Sequence, residues 1–345
     1  MALADDQRGR LRQAKLAGLV RGHVGPLDDG EGGVPGGFPG GATLRDGDRG
    51  WVLIDDGVGP RSVGGALLWG SRSGITDLGV IVETTDGVLL ADLARRASWF
   101  EPRPAVFRVA GTSLETVTPS DPPEVRPAPP DIGGLVDLLL DADLEVVVEH
   151  GIVRGEVLGL EVARIVTTPT GSEMDVEPGG PLLEVGVGKF DRVTAAMMYA
   201  HLPTAGALGA VIEEVRRHRY PGAPPHPVRD LCRERWLRHA VIADPAVLGL
   251  RSLSAVETTV ERDSLREFHP AVALGTDETG RSSLVACTYG VDIDLLPMAA
   301  DARAVHATDA ALVIVAPEVL PDAIRQLAER LPGEVRFAKI AAPWS

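Results

Sequence analysis

Apolar and polar residues along this chain switch between two periods, and the switches mark its elements. Trp51-Val52-Leu53-Ile54 and Leu78-Gly79-Val80-Ile81-Val82 are short apolar runs bounded by turn residues, the pattern of buried strands. Between them Ser62 to Ser71 reads as a helix with Leu67 and Leu68 inward. Val88 to Phe100 repeats Leu89, Leu93, Ala97 and Phe100 at helical spacing, and Ala105 to Val109 is again strand-like. Strand, helix, strand, helix, strand predicts a small parallel α/β unit over residues 50–118. Ahead of it, residues 1–49 end in a Gly- and Pro-rich run (Gly32-Gly33-Val34-Pro35-Gly36-Gly37-Phe38-Pro39-Gly40-Gly41) that offers little apolar area to bury. This predicts a flexible or irregular segment. Behind it, Pro119 to Pro130 holds six prolines and predicts a stiff linker over 119–131.

From 132 to 345 the pattern predicts a second, mixed-sheet α/β domain. Gly133 to Asp141 reads as a helix, Leu144 to Glu149 as a strand, Glu156 to Thr167 as one longer strand and Leu182 to Val187 as a third. Helices are expected over Val193 to Tyr199, Thr204 to His218 and Val228 to Val241. Further strands follow at Ser254 to Val260, Val272 to Leu274, Ser283 to Tyr289, Ala311 to Ala316 and Val335 to Ile340, with a helix over Leu320 to Leu331.

Composition narrows the class. No run approaches the roughly 20 apolar residues of a membrane span. Cys232 and Cys287 are the only cysteines, which fits a reducing cytoplasm better than a disulfide framework. The net charge of −15 argues against a protein that coats nucleic acid over its whole surface. Basic charge is nevertheless concentrated. Between Arg216 and His239 stand Arg216, Arg217, Arg219, Arg229, Arg233, Arg235 and Arg238 against Asp230 and Glu234. Arg216, Arg217, Arg219, Arg233 and Arg235 are therefore candidate phosphate contacts, since a guanidinium can bridge phosphate oxygens bidentately. A solvated helical face is the alternative reading of the same residues. The histidines show no two-His metal spacing, which argues against zinc. Asp292, Asp294, Asp301 and Arg303 form a smaller acidic cluster that also fits ordinary turn and cap positions.

Two glutamates carry the sharpest expectation: Glu161 in Gly159-Leu160-Glu161-Val162-Ala163-Arg164, and Glu184 in Leu182-Leu183-Glu184-Val185-Gly186-Val187-Gly188-Lys189. The order of helix, two strands, a third strand ending in a Glu motif and a helix, over Gly133 to His218, resembles the restriction-endonuclease-like PD-(D/E)xK nuclease core. The resemblance implies metal-dependent hydrolysis of nucleic acid, with Glu161 and Glu184 holding Mg²⁺ or Mn²⁺. The metal would polarise the phosphodiester and lower the pKa of its bound water. The chain departs from the pattern where the family has lysine two residues after the glutamate, because that position is Gly186. Lys189 can take the role, stabilising developing charge, only if a bulge at Gly186 or Gly188 resets the side-chain alternation. Glu156 competes with Glu161 for the upstream position. The alternative function is a non-enzymatic ligand-sensing or protein-interaction scaffold in which the motif is degenerate.

Overall fold

The computed structural model describes residues 2–27, 33–55, 57–130, 132–167, 180–188, 192, 194, 197 and 204–345. The chain is of the α/β class and divides into two compact units. The first comprises Met1–Pro122, Ile293–Ala304 and Leu320–Val335. The second comprises Pro123–Asp292, Val305–Val319 and Arg336–Ser345.

The first unit is built on a six-stranded sheet in the order β1 (Val34–Phe38), β2 (Gly41–Asp46), β3 (Arg49–Ile54), β4 (Asp77–Val82), β5 (Ala105–Ala110) and β6 (Ser113–Thr116). Its centre, β3, β4 and β5, is parallel, with α2 (Val63–Arg72) and α3 (Gly87–Ala97) as the crossovers. The apolar runs at 51–54 and 78–82 are buried there, as unbroken apolar strands of parallel sheets are. Asp86 starts α3 by accepting from the backbone N–H groups of Val88 and Leu89, both at 3.0 Å.

Residues 1–49 differ from the irregular segment their composition suggested. They carry a long helix, α1 (Ala2–Val24), and the β1–β2 hairpin. The helix buries Leu16, Leu19 and Val20 against Ala42, Leu44, Trp51 and Leu53 of the sheet. Pro39-Gly40 closes the hairpin, with Gly40 at φ +68. Gly41 is required by contact, since a Cβ there would lie 1.7 Å from the carbonyl oxygen of Leu53. In the acidic cluster, Asp301 is fully buried and accepts from Arg95 (Nε 2.9 Å, Nη2 3.1 Å), Arg96 (Nε 3.2 Å) and Trp99 (Nε1 3.0 Å). Asp294 accepts from the Gly64 N–H at 3.0 Å. These acids are structural partners within the first unit.

The second unit holds two sheets. One is antiparallel throughout, in the order β10 (Pro181–Val185), β9 (Leu160–Thr167), β8 (Ile152–Val157) and β7 (Glu145–Glu149). The other has five strands: β11 (Ser252–Val256), β12 (Ala271–Thr276), β13 (Ser282–Cys287), β14 (Ala311–Ala316) and β15 (Val335–Lys339), with β13 and β14 parallel. Helices α4 (Gly133–Asp141) and α5 (Thr204–His218) cover one face of the four-stranded sheet, where Leu139, Leu208, Ile212 and Val215 pack on Val153, Ala163, Ile165 and Leu183.

Two expectations need correction here. Glu156 to Thr167 is a hairpin of two strands, because Leu158 and Gly159 both take positive φ (+48 and +75) and reverse the chain. A Cβ at Gly159 would lie 2.4 Å from the Arg235 carbonyl carbon, so only glycine fits this turn. The basic helix expected over Val228 to Val241 is broken at Cys232 (φ +48) into α6 (Pro227–Asp230) and α7 (Arg233–Ala243). Arg219 reaches the break and donates to the carbonyls of Val228, Arg229, Leu231 and Cys232 as well as Leu158. Among the described residues no helix is long and apolar enough to cross a membrane. The helix expected at Val193 to Tyr199 falls largely outside the described residues.

Candidate functional site

The other face of the four-stranded sheet is charged, and strand register explains how. Residues directly opposed across antiparallel strands project to the same side. Val147 opposes Arg154, Glu145 opposes Glu156, Arg154 opposes Arg164, and Arg164 opposes Glu184. Strict alternation would send Glu161 to the opposite face from Arg164. A β-bulge prevents this: Gly155 opposes Ala163 but Glu156 opposes Glu161, so Val162 is the extra residue. Glu156 and Glu161 are thus cross-strand neighbours, where their spacing as a single strand had set them on opposite faces. Glu145, Glu149, Arg154, Glu156, Glu161, Arg164 and Glu184 end on one side.

Arginines join them into two networks. In the first, Glu149 accepts from Arg238 Nη1 (2.7 Å) and from Arg235 Nη2, while Glu156 accepts from Arg235 Nη1 (2.7 Å) and lies 3.4 Å from Arg238 Nη2. Two carboxylates and two guanidiniums are buried together and neutral as a group. Burial pushes the Glu149 carboxyl up, but Arg235, Arg238 and Arg154 override it and hold the group well below the usual carboxylate range. Glu156 moves the other way: burial raises it, and Glu149 and Glu145 add to the rise against Arg235 and Arg238.

The second network is a chain of alternating sign. Arg154 Nε donates to Glu161 Oε2 (2.8 Å), Arg192 Nη1 donates to Glu161 Oε1 (2.9 Å), Arg192 Nε lies 3.4 Å from Glu184 Oε2, and Arg164 Nε donates to the same oxygen (2.7 Å). Arg154 is also shared with Glu261 (Nη2 to Oε1 3.8 Å) and Glu149 (Nε to Oε2 4.0 Å), which ties this chain to the first network. Arg192 feels the other guanidiniums. Burial lowers its pKa, and Arg164 and Arg154 lower it further against Glu161 and Glu184.

Glu161 and Glu184 therefore meet on one cation, and that cation is Arg192. Gly186 makes room for it: its φ is +133, and a Cβ there would lie 2.8 Å from the Arg192 Cα. Where the resemblance calls for a lysine, the chain has no side chain and receives a guanidinium from six residues on. Lys189 lies outside the described residues. Among the described residues no group of three or more His, Cys, Asp or Glu side chains is placed to hold a metal ion. Both Glu161 oxygens already accept guanidinium N–H groups, and a divalent ion there would stand against Arg154, Arg164 and Arg192. With Arg192 in place these residues do not fit Mg²⁺ or Mn²⁺.

Beside this face is a cavity of about 950 Å³. Arg154, Glu161, Arg164, Arg192, Arg235 and Glu149 line it from the sheet side and α7, and Thr258 and residues 260–266 line it from the loop after β11. Arg262 fixes that loop by donating to Glu234 and to the carbonyls of Glu267 and His269, both at 3.0 Å. Apolar residues such as Val187, Val256, Val260 and Leu265 complete the lining, which contains no Phe, Tyr or Trp among the described residues.

The arginines singled out from sequence separate into three kinds. Arg219 is buried and occupied by carbonyl oxygens, and burial lowers its pKa to about 10. Arg235 is held between Glu149 and Glu156. Arg233 pairs with Asp230 and stands over the rings of Tyr289 (4.8 Å) and Trp344 (5.3 Å). Arg216 and Arg217 are exposed, paired with Asp143 (3.1 Å) and Glu214 (2.7 Å), and do not line the cavity. The expectation that Arg216, Arg217, Arg219, Arg233 and Arg235 grip phosphates is thus corrected at two positions: burial turns Arg219 and Arg235 into internal struts. Among the described residues, the arginines that line the cavity with N–H groups to spare are Arg164, whose side chain donates through Nε to Glu184, and Arg266, which is exposed. Sequence reasoning missed Arg154, Arg164, Arg192 and Arg266. The available signal was the alternation of Glu and Arg at same-face positions such as Arg154 and Glu156.

No family model matches this chain, and no curated protein matches it. Among solved structures it is similar over part of its length to the apo form of EndoMS, with a TM-score of 0.24 and 14% identity, covering 32% of this chain and 47% of that chain. The chain thus spans about half the length of that structure, and a likeness this slight establishes no shared fold.

Proposed function

We propose that the second unit binds a phosphate-bearing polyanion, nucleic acid foremost, in the arginine-lined cavity, without cutting it. The sheet brings Glu161 and Glu184 together, but both carboxylates are committed to a guanidinium. The observation that carries this reading is Arg192, bridged by Glu161 and Glu184 at 2.9 and 3.4 Å. It occupies both carboxylates, while Arg164, whose Nε donates to Glu184, lines the cavity where its Nη groups can contact phosphate oxygens bidentately. The test is fluorescence anisotropy of a labelled single-stranded oligonucleotide in EDTA. Binding should weaken as salt rises, with a log–log slope of roughly −0.7 per phosphate contact, and the Arg164→Ala/Arg266→Ala variant should lose most of it. Salt-independent or absent binding contradicts the proposal.

A second reading is metal-dependent phosphodiester hydrolysis. It is supported by the bulge that brings Glu161 and Glu184 to one face. It requires Mg²⁺ or Mn²⁺ to displace Arg192, with Lys189 near the reacting phosphate. Cleavage of DNA or RNA that appears with Mn²⁺ and disappears in Glu184→Ala would establish it and refute the non-hydrolytic version.

A further inference from the structure

Resting on the phosphate-binding reading, we infer that the cavity takes a terminal phosphomonoester, as found at a strand end or on a mononucleotide, in preference to internal phosphodiesters. Four observations point this way. First, the charge surplus is small and local. Arg154, Arg164, Arg192, Arg235, Arg262 and Arg266 line the cavity against Glu149, Glu161, Glu261 and Asp263, so its described lining carries two more guanidiniums than carboxylates. Two positive charges in one place complement a phosphomonoester, which carries nearly −2 at neutral pH, better than a diester carrying −1.

Second, the donors are clustered rather than strung out. A protein that tracks a strand presents a line of cations along its surface. Here the candidates for such a line, Arg216, Arg217, Arg219 and Arg233, are each engaged elsewhere and none lines the cavity. Third, about 950 Å³ lies in the size range of small-ligand pockets, which is enough for a nucleotide. Fourth, among the described residues no Phe, Tyr or Trp lines the cavity, so these residues offer successive bases no aromatic surface on which to stack. Recognition then falls on the phosphate. A monoester offers three terminal oxygens, one more than a diester, for the spare N–H groups of Arg164 and Arg266.

The experiment compares internally labelled single strands of one sequence bearing a phosphate at the 5′ end, at the 3′ end or at neither, by anisotropy in EDTA, with a nucleoside monophosphate as competitor. The inference predicts that an end-phosphorylated strand binds about tenfold or more tightly than the unphosphorylated strand, the effect of one added charge-assisted hydrogen bond. Arg266→Ala, a change at an exposed position that leaves the fold intact, should remove that preference, whereas Arg217→Ala should not. Competition by the mononucleotide would identify a free nucleotide as sufficient. Preference without competition would identify the strand end as the ligand. Equal binding of all three strands overturns the terminal-phosphate inference and leaves the phosphate-binding reading standing. No binding of any strand or of the mononucleotide overturns both.

Discussion

Replacing Glu149 by glutamine should be far more damaging than replacing Glu156, although the two carboxylates are equally buried and share the same two arginines. Glu149 accepts from Arg235 and Arg238 and has Arg154 at 4.0 Å, so its negative charge is balanced from three sides. Glu149→Gln leaves Arg235 and Arg238 with one buried anion, Glu156, between them, a loss of about 3–5 kcal/mol for breaking a buried ion pair from one side. Glu156 is held above its ordinary pKa by burial and by Glu149 and Glu145, so its neutral form is tolerated. Glu156→Gln keeps the shape and a hydrogen-bonding oxygen, and should cost about 1–2 kcal/mol. The same pKa directions set the pH dependence. Glu149 is depressed in the folded state, so its contribution is complete above the unfolded value of about 4.3 and is lost as pH falls toward the folded value. Glu156 is raised, so the folded state gains a proton first and stability increases as pH falls through its folded value. Urea titrations read by hydrogen exchange of peptides covering 144–167 report on this unit alone. Equal losses for the two variants, or a larger one for Glu156→Gln, would refute the assignment of opposite roles.

Other positions make independent tests. Arg219→Met should lower the melting temperature sharply, since the carbonyls of Leu158, Leu231 and their neighbours lose their donor at about 1–3 kcal/mol for each buried group left unpaired. It should not alter the salt slope of nucleic-acid binding. Gly186→Ala should destabilise by about 1–3 kcal/mol through its positive φ and, by pushing on the Arg192 backbone, should weaken phosphate binding more than it lowers stability. Burial raises the Cys232 and Cys287 thiols to about 11 and 12, so neither should react with iodoacetamide at pH 8 until the protein is unfolded. Mass spectrometry of the alkylated protein reads this directly.

The parallel centre of the first unit was legible because its strands are unbroken apolar runs, and burial on both faces demands that pattern. Helix α1 and the β1–β2 hairpin were not, because their apolar positions (Leu16, Leu19, Val20, Ala42, Leu44) are sparse and become a core only when brought together. The β8–β9 reversal was hidden for a different reason: Leu158 occupies a positive-φ position that Asn or Asp usually marks. In the candidate site, the two glutamates could be picked out by residue type. Their common face could not, because it depends on the bulge at Val162, which leaves no residue signature. The cation between them was equally hidden. Arg192 follows Glu184 by eight residues, and only the close approach at Gly186 explains its place. Among the arginines, burial decided the role, and burial depends on partners from distant segments such as Glu149 for Arg235.

The central claim is that a guanidinium fills the position between Glu161 and Glu184 that a metal ion would otherwise take. A calorimetric titration of Mn²⁺ into phosphate-free wild-type protein tests it most directly. The account predicts no saturable heat at millimolar Mn²⁺. A stoichiometric isotherm that Glu184→Ala abolishes would contradict it.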